Sequence, residues 1–195
     1  MSEPALPVAA AMTTARLLLR RWRETDREPF ADLNADPSVM EHFQGPMSRK
    51  ASDALVDRIN AQWESAGWGL WAVEVPDVAQ FIGFVGLSPT DDVDGSRMVE
   101  VGWRLAHTHW GRGYATEAAL EALRFGFEDL ELPEIVSFTV PQNTRSRRVM
   151  ERIGLVHDPS GDFDHPRINP FAYPELVRHV LYRIARAGWK AQAAR

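Results

Sequence analysis

Between Val101 and Ala118 the chain reads Val-Gly-Trp-Arg-Leu-Ala-His-Thr-His-Trp-Gly-Arg-Gly-Tyr-Ala-Thr-Glu-Ala, a strand pattern that breaks into a glycine-punctuated turn and opens a helix. Gly111 and Gly113 flank one basic residue, Arg112, so the backbone there can approach a ligand without Cβ collisions. The first N–H groups of the following helix have no intrahelical acceptor and carry the positive end of the helix dipole. Such a cradle suits a pyrophosphate. Each anionic contact at a helix start contributes roughly 0.3 to 1 kcal/mol when exposed and up to about 2 when partly buried, so several converging amides hold a diphosphate well. Two other phosphate patterns fail here. A P-loop needs Lys-Ser/Thr after its last glycine, and none follows Gly113; a dinucleotide turn needs a third glycine where Thr116 stands, and an early strand, whereas about a hundred residues precede this one.

What remains is the turn Arg/Gln-x-x-Gly-x-Gly/Ala, which the stretch from Trp110 to Ala115 fits at every place except the first. About thirty residues later Asn143-Thr-Arg-Ser-Arg-Arg-Val-Met-Glu-Arg-Ile-Gly-Leu155 reads as a short helix, capped by Asn143, stopped by Gly154 and apolar at Val149, Met150 and Ile153. A strand, Glu134 to Val140, lies between the two. In this order they resemble the coenzyme A turn and the second cofactor-contacting element of the GNAT acyltransferase superfamily. The run from Trp110 to Ala118 is most similar to its ribosomal-protein N-acetyltransferase (RimJ/RimL-type) branch, where Trp often opens the turn.

The resemblance implies an α/β (α+β) fold: a single GNAT-like domain with a mixed, mostly antiparallel sheet of about seven strands flanked by helices. It implies acetyl-CoA as co-substrate, no metal, and an amine acceptor that is a peptide N-terminus or a small amine, and it leaves a homodimer open. On the same footing, the backbones of Trp110, Gly111, Arg112, Gly113, Tyr114, Ala115 and Thr116 hold the pyrophosphate. Leu105 offers main-chain groups to the pantetheine arm, Asn143 serves as ligand or as cap, and Arg147 or Arg148 reaches the 3′-phosphate. Ser146 lies near the cofactor sulfur, where its hydroxyl can donate to the departing thiolate.

An amine must lose its proton before it attacks a thioester. Glu100, on the strand that leads into the cradle, is the candidate general base, worth about 10² to 10⁴ in rate. An α-amine with a pKa near 7.7–8.0 is about 2.5 units easier to deprotonate than a lysine near 10.4, roughly 3.4 kcal/mol. Asp164 and His165, beside Pro166 in a long loop, are candidates for meeting the acceptor. Glu117, in the first turn of a helix, reads as structural. His42, His107 and His109 lack metal-ligand spacing, and an acidic acceptor groove would mark a peptide or polyamine substrate.

These residues need elements to position them. Thr14 to Trp22 reads as a first strand, Thr25 or Asp26 as the cap of a helix through Asn34, and Ser48 to Ser65 as a longer helix with Ala54, Leu55, Ile59 and Trp63, stopped by Gly67. Trp68 to Val75 and Gln80 to Leu87 form a hairpin around residues 76–79, and Met98 to Leu105 is the next strand. Leu120, Leu123, Phe127 and Leu130 mark the buried stripe of the helix that the cradle opens. From Val156 to Arg178 four prolines and Gly161 predict a long irregular connection that shapes the acceptor site. A last strand covers His179 to Ala185. The resulting organisation is a loose arm over 1–14, one domain over 15–187 and a tail over 188–195.

Size and charge agree with this reading. The 195 residues suit one domain. A net charge of −5 argues against a protein that binds nucleic acid by neutralising phosphates. No run approaches a membrane span, and the short apolar stretch Val8 to Met12 lacks the basic start of a signal peptide, so a cytoplasmic setting with no membrane partner is expected. With zero cysteines, an acyl-cysteine intermediate is ruled out. A non-catalytic acyl-CoA sensor and an interaction module on the same scaffold remain alternatives, separable by binding of acetyl-CoA and release of its thiol.

Overall fold

A computed structural model describes residues 11–193 except 92 and 94. Its strands are β1 (Ala11–Thr13), β2 (Leu18–Arg20), β3 (Leu70–Val75), β4 (Ala79–Thr90), β5 (Met98–Leu105), β6 (Glu134–Thr139), β7 (Val156–His157), β8 (Phe163–Asp164) and β9 (Arg178–Ala185). Its helices are α1 (Arg27–Ala35), α2 (Arg49–Ala66), α3 (Tyr114–Arg124), α4 (Thr144–Arg152), α5 (Pro174–Val177) and α6 (Arg186–Ala193). The sheet is mixed and mostly antiparallel, with the order β1-β2-β3-β4-β5-β6-β9-β7 and β8 pairing with β9. Among the described residues it has nine strands rather than about seven, because the proline-rich connection contributes β7 and β8.

The pairing of β5 with β6 is parallel and has one registered pair, Glu100 with Val136, whereas β4 and β5 stay in register from Gly83–Leu105 to Thr90–Met98. The sheet therefore opens beyond Glu100, towards the C-terminal end of β5. Ala106 N–H donates to Ile82 O at 2.8 Å. The alternation of an antiparallel ladder then turns the N–H and C=O of Leu105 away from β4, into that opening.

Cross-strand partners share a face of a sheet. Glu100 with Ser88, Gly102 with Gly86 and Arg104 with Phe84 lie on one face, and Val101 with Leu87 and Trp103 with Val85 on the other. On the Phe84 side α1 packs through Phe30, whose ring lies edge-on 5.9 Å from Phe84. The continuation of α3 packs on the Leu87 side: a π-helical turn at Phe125–Asp129 brings the backbone of Gly126 against Leu87 and Ile135.

Several boundaries and faces differ from expectation. The end of the supposed arm, Ala11–Thr13, pairs with Leu18–Arg20 as a sheet edge; residues 1–10 lie outside the described ones. That hairpin bends at residues 14–17, which is why no strand runs unbroken from Thr14 to Trp22. Part of the expected tail is the helix α6, whose Trp189 stacks on Phe127 at 5.8 Å. In α3 the buried face is Ala118, Ala119, Ala122 and Leu123, while Leu120 points out; the small alanines let the helix sit close to the sheet. In α2, likewise, Ser52 and Val56 are buried where Ala54 is exposed.

Buried polar groups pin the first segments. Arg20, 4% exposed, donates to both carboxylate oxygens of Asp26 at 2.7 and 2.9 Å and to Glu74 at 2.8 Å. Asp26 also accepts from Arg23 N–H at 2.7 Å, which closes the turn before α1.

Candidate active site

A cavity of about 900 Å³ opens along β5, between the α1–α2 connection, α4 and the 158–173 loop. Glu100, Leu105, Trp110, Gly111, Gly113, Tyr114, Ala115, Thr116, Asn143, Ser146, Arg148 and His165 line it; Arg112 and Asp164 do not.

Its most constrained part is the turn before α3. Gly111 and Gly113 have φ of +74° and +80°, the left-handed region that costs other L-residues about 1 to 2 kcal/mol. A Cβ on Gly111 would meet no protein atom within 4 Å, so the space above it is open to a ligand. Glu117 N–H is the first in α3 to return a helical bond, to Gly113 O at 3.0 Å. The N–H groups just before it have no partner inside the helix and converge on the cavity mouth. Behind the turn, Arg16 donates to Arg112 O at 3.0 Å and to Glu117 at 2.7 Å, and its guanidinium lies 5.0 Å over the Tyr114 ring. Burial opposes ionisation of Glu117, yet hydrogen bonds from Thr14 and Arg16 outweigh it and hold the carboxyl below its ordinary range. Glu117 is thus a structural clasp between the strand edge and the turn.

Trp110 opens the turn and locks it to β5: its indole N–H donates to Leu105 O at 2.8 Å. Arg145 lies over the same indole at 4.6 Å and pairs with Glu41 at 2.7 Å, joining α4 and the α1–α2 connection across the cavity rim. Since the Leu105 carbonyl is engaged, its N–H is the group left to face the opening.

Asn143 is a cap. Its Oδ1 accepts from Ser146 N–H at 3.1 Å and its Nδ2 donates to Thr139 Oγ1 at 3.0 Å, so both ends of the amide serve the fold. Ser146, on the next turn, lines the cavity. Arg147 points inward, donating to Tyr182 OH and Pro141 O at 3.1 Å each, which removes it as a phosphate ligand. Arg148, with Arg152 one turn on, lines the cavity instead.

On the opposite wall, the Glu100 carboxylate leans over Gly102, 3.7 Å from where a Cβ would sit there, and faces the cavity. His165 packs edge-on to Phe138 and tilted against Phe163 and His179, with the two imidazoles 4.8 Å apart. Asp164 lies outside, in an exposed pair with Arg178 at 3.3 Å, because strand alternation turns it away from Phe163. Its expected contact with an acceptor has no geometric support.

Three lining residues were not anticipated. Arg104 extends under Phe43, 4.2 Å from the ring, and donates to Asn34 Oδ1 at 2.6 Å. His109 has a buried Nδ1 with no partner among the described residues, and burial together with Arg112 holds its pKa below the usual value. His42 is lowered by burial and by Arg145, against the opposing pull of Glu41. The alternation of β5 placed Arg104 on the face of Glu100, a signal present in the sequence; His42 and His109 gave none.

Comparison with known proteins agrees with this geometry. A family profile described as "Acetyltransferase (GNAT) domain" matches residues 16–156. The chain is 32% identical over 152 residues to the FsC-acetyl coenzyme A-N(2)-transacetylase of Aspergillus fumigatus, covering 74% of this chain and 64% of that protein, under two thirds of its length. The acetyltransferase of Agrobacterium tumefaciens has a similar structure, with TM-score 0.73 and 30% identity over 94% of this chain and 97% of that one. The spermidine N-acetyltransferase of Vibrio cholerae, solved with CoA and spermine, shares the fold at TM-score 0.68 and 21% identity over 91% and 99% of the two chains.

Proposed function

This chain belongs to the GNAT family of acetyltransferases, and we propose that it moves an acetyl group from acetyl-CoA to a primary amine by direct attack in a ternary complex. The observation that carries the reading is the cradle at the open end of β5: left-handed glycines, free helix-start amides and an open sheet edge converge on one cavity. A pyrophosphate fits those amides, and a pantetheine arm fits the edge that Leu105 presents. When bound, acetyl-CoA supplies a thioester carbonyl that is ready for nucleophilic attack.

The chain's own residues do the rest. Glu100 takes the proton of the acceptor ammonium, directly or through water, so that the nitrogen lone pair is available. As the N–C bond forms and the C–S bond breaks, the N–H of Leu105 is the donor positioned for the developing oxyanion. Ser146 is the hydroxyl on the α4 side for the leaving thiolate, which leaves as the free thiol with one proton. Holding amine and thioester together supplies much of the rate through lost translational freedom. Arg148 takes the 3′-phosphate. The acceptor is a small amine or a protein N-terminus; the Trp-first turn favours the RimJ/RimL-type branch within the family, in a cytoplasmic setting.

The test is steady-state release of coenzyme A thiol across a panel of amines, with mass spectrometry of the product amine and a calorimetric titration of acetyl-CoA. Binding with thiol release and an acetylated amine is the expected result. Tight binding with no release from any amine would identify a sensor, and no binding an interaction module.

A further inference from the structure

We infer that the acceptor is an amine that also carries a carboxylate, received by Arg104; this rests on the transfer reading above and specifies its substrate class. Arg104 stands on β5, two residues past Gly102 and on the same face as Glu100. Among the described residues the partners of its guanidinium are neutral: Asn34 from α1, Phe43 and Met47 from the α1–α2 connection, and Phe84 from β4. Among the described residues no carboxylate lies within ion-pair distance, and its Nε is sealed from water without an acceptor. The Cα of Glu100, four residues away along a strand rising about 3.3 Å per residue, is roughly 13 Å from that of Arg104, and the two side chains form no ion pair.

Removing a cation from water costs several kcal/mol unless a counter-charge is supplied. The Phe43 face offsets only part of that. Burial pushes the guanidinium pKa down to about 10, so it keeps its charge at neutral pH. The side chain lines the cavity, and with Nη1 held by Asn34 and Met47 and Nε sealed, Nη2 is the nitrogen through which it can meet a bound carboxylate.

A second observation points the same way. Among the described residues the cavity is lined by Arg58, Arg104, Arg145, Arg148, Arg152 and Arg167 against a single carboxylate, Glu100, although the whole chain carries a net charge of −5. Arg148 and Arg152 stand on α4 beside the cradle and suit the cofactor's phosphates, while Arg145 on the same helix is paired with Glu41. Arg104 is on the other face of β5 from the packing of α3, with α1 and the 36–48 connection. An acidic groove would mark a polyamine acceptor, and the described lining is not acidic.

Thiol release with acetyl-CoA should be compared for α-, β- and γ-amino acids, the same compounds as carboxamides, and spermidine. The expected kcat/KM is at least about tenfold higher for the best carboxylate than for its carboxamide, the worth of one charge-assisted hydrogen bond, and lower still for spermidine. Arg104→Met should abolish that preference mainly through KM, and Arg104→Lys should keep part of it, with coenzyme A affinity unchanged in both. Equal or better use of carboxamides or spermidine, or a preference that survives in R104M, overturns the inference while acetyl transfer stands. A loss of coenzyme A affinity in R104K and R104M together would assign the guanidinium to the cofactor and overturn it as well. If no amine releases thiol, the transfer reading falls, and calorimetry of N-acetylated amino acids against their carboxamides on the coenzyme A-loaded protein still decides whether Arg104 selects an anion.

Discussion

Replacing Gly111 with alanine should weaken coenzyme A binding for a reason that can be worked from the backbone. At φ +74° an alanine costs about 1 to 2 kcal/mol, and nothing in the protein blocks its methyl. In the free protein the turn can relax and avoid part of that cost. Bound cofactor requires the left-handed turn, so the strain that the free turn sheds reappears as lost affinity, at most about 5- to 30-fold at about 1.4 kcal/mol per tenfold. The methyl also projects into the open space that a ligand occupies, which adds to the loss. Gly113→Ala, at φ +80° and with its methyl 3.4 Å from the Arg16 guanidinium, should lose at least as much. Gly95→Ala is the control: φ is +75° and the space equally open, but the residue lies in the turn before β5, outside the cavity. Its penalty should appear as a lower Tm of about 2 to 8 °C with coenzyme A affinity intact. Isothermal calorimetry and thermal melts read both quantities. If G111A and G113A bind coenzyme A as tightly as the parent, the turn is not holding the diphosphate and the reasoning fails.

Other expectations follow from the same geometry. Glu100→Gln should lower kcat by about 10² or more with coenzyme A affinity unchanged, and the deficit should shrink as pH rises and the amine deprotonates on its own; parallel pH–rate profiles would show that Glu100 is not the base. Glu117→Gln should lower Tm at neutral pH. Because the folded pKa of Glu117 lies below its unfolded value, its contribution is complete above the ordinary carboxylate range and fades as pH falls through the folded pKa, so melts of the two proteins should converge in acid; a constant gap would refute this. Asp26→Ala leaves Arg20 buried with Glu74 as its one counter-charge among the described residues, and urea unfolding should report a loss of about 3 kcal/mol or more; a loss under about 1 would mean that the pair is not what pins β2 to α1.

The cradle was legible because its chemistry is local. Two glycines with positive φ, a helix start and the strand before it lie within about fifteen residues, and each is written in residue type. The Asn143 cap and the Gly154 stop were legible for the same reason. For Arg104 only its face was legible, from the alternation of β5: its meaning comes from what is missing around it, and Asn34, Phe43 and Phe84 reach it only once α1 and the α1–α2 connection have folded over β5. The expected stripe held at Leu123 and Phe127 but failed at Leu120, which points out because the close approach to the sheet is made by alanines. Four prolines suggested an irregular loop over 156–178, yet β9 offers a free edge with which β7, ahead of the first of those prolines, and β8, between the first two, both pair. Asp164 fell on the outer side of such a two-residue strand, where pairing register rather than sequence decides direction.

The central claim is that main-chain nitrogens in the turn between β5 and α3 grip a diphosphate. Backbone amide resonances of Gly111 to Thr116, followed by NMR during titration with coenzyme A and separately with pantetheine, address it most directly. The account predicts large shifts with coenzyme A and still amides with pantetheine, which lacks the diphosphate. Coenzyme A that binds while those resonances stay in place would contradict it.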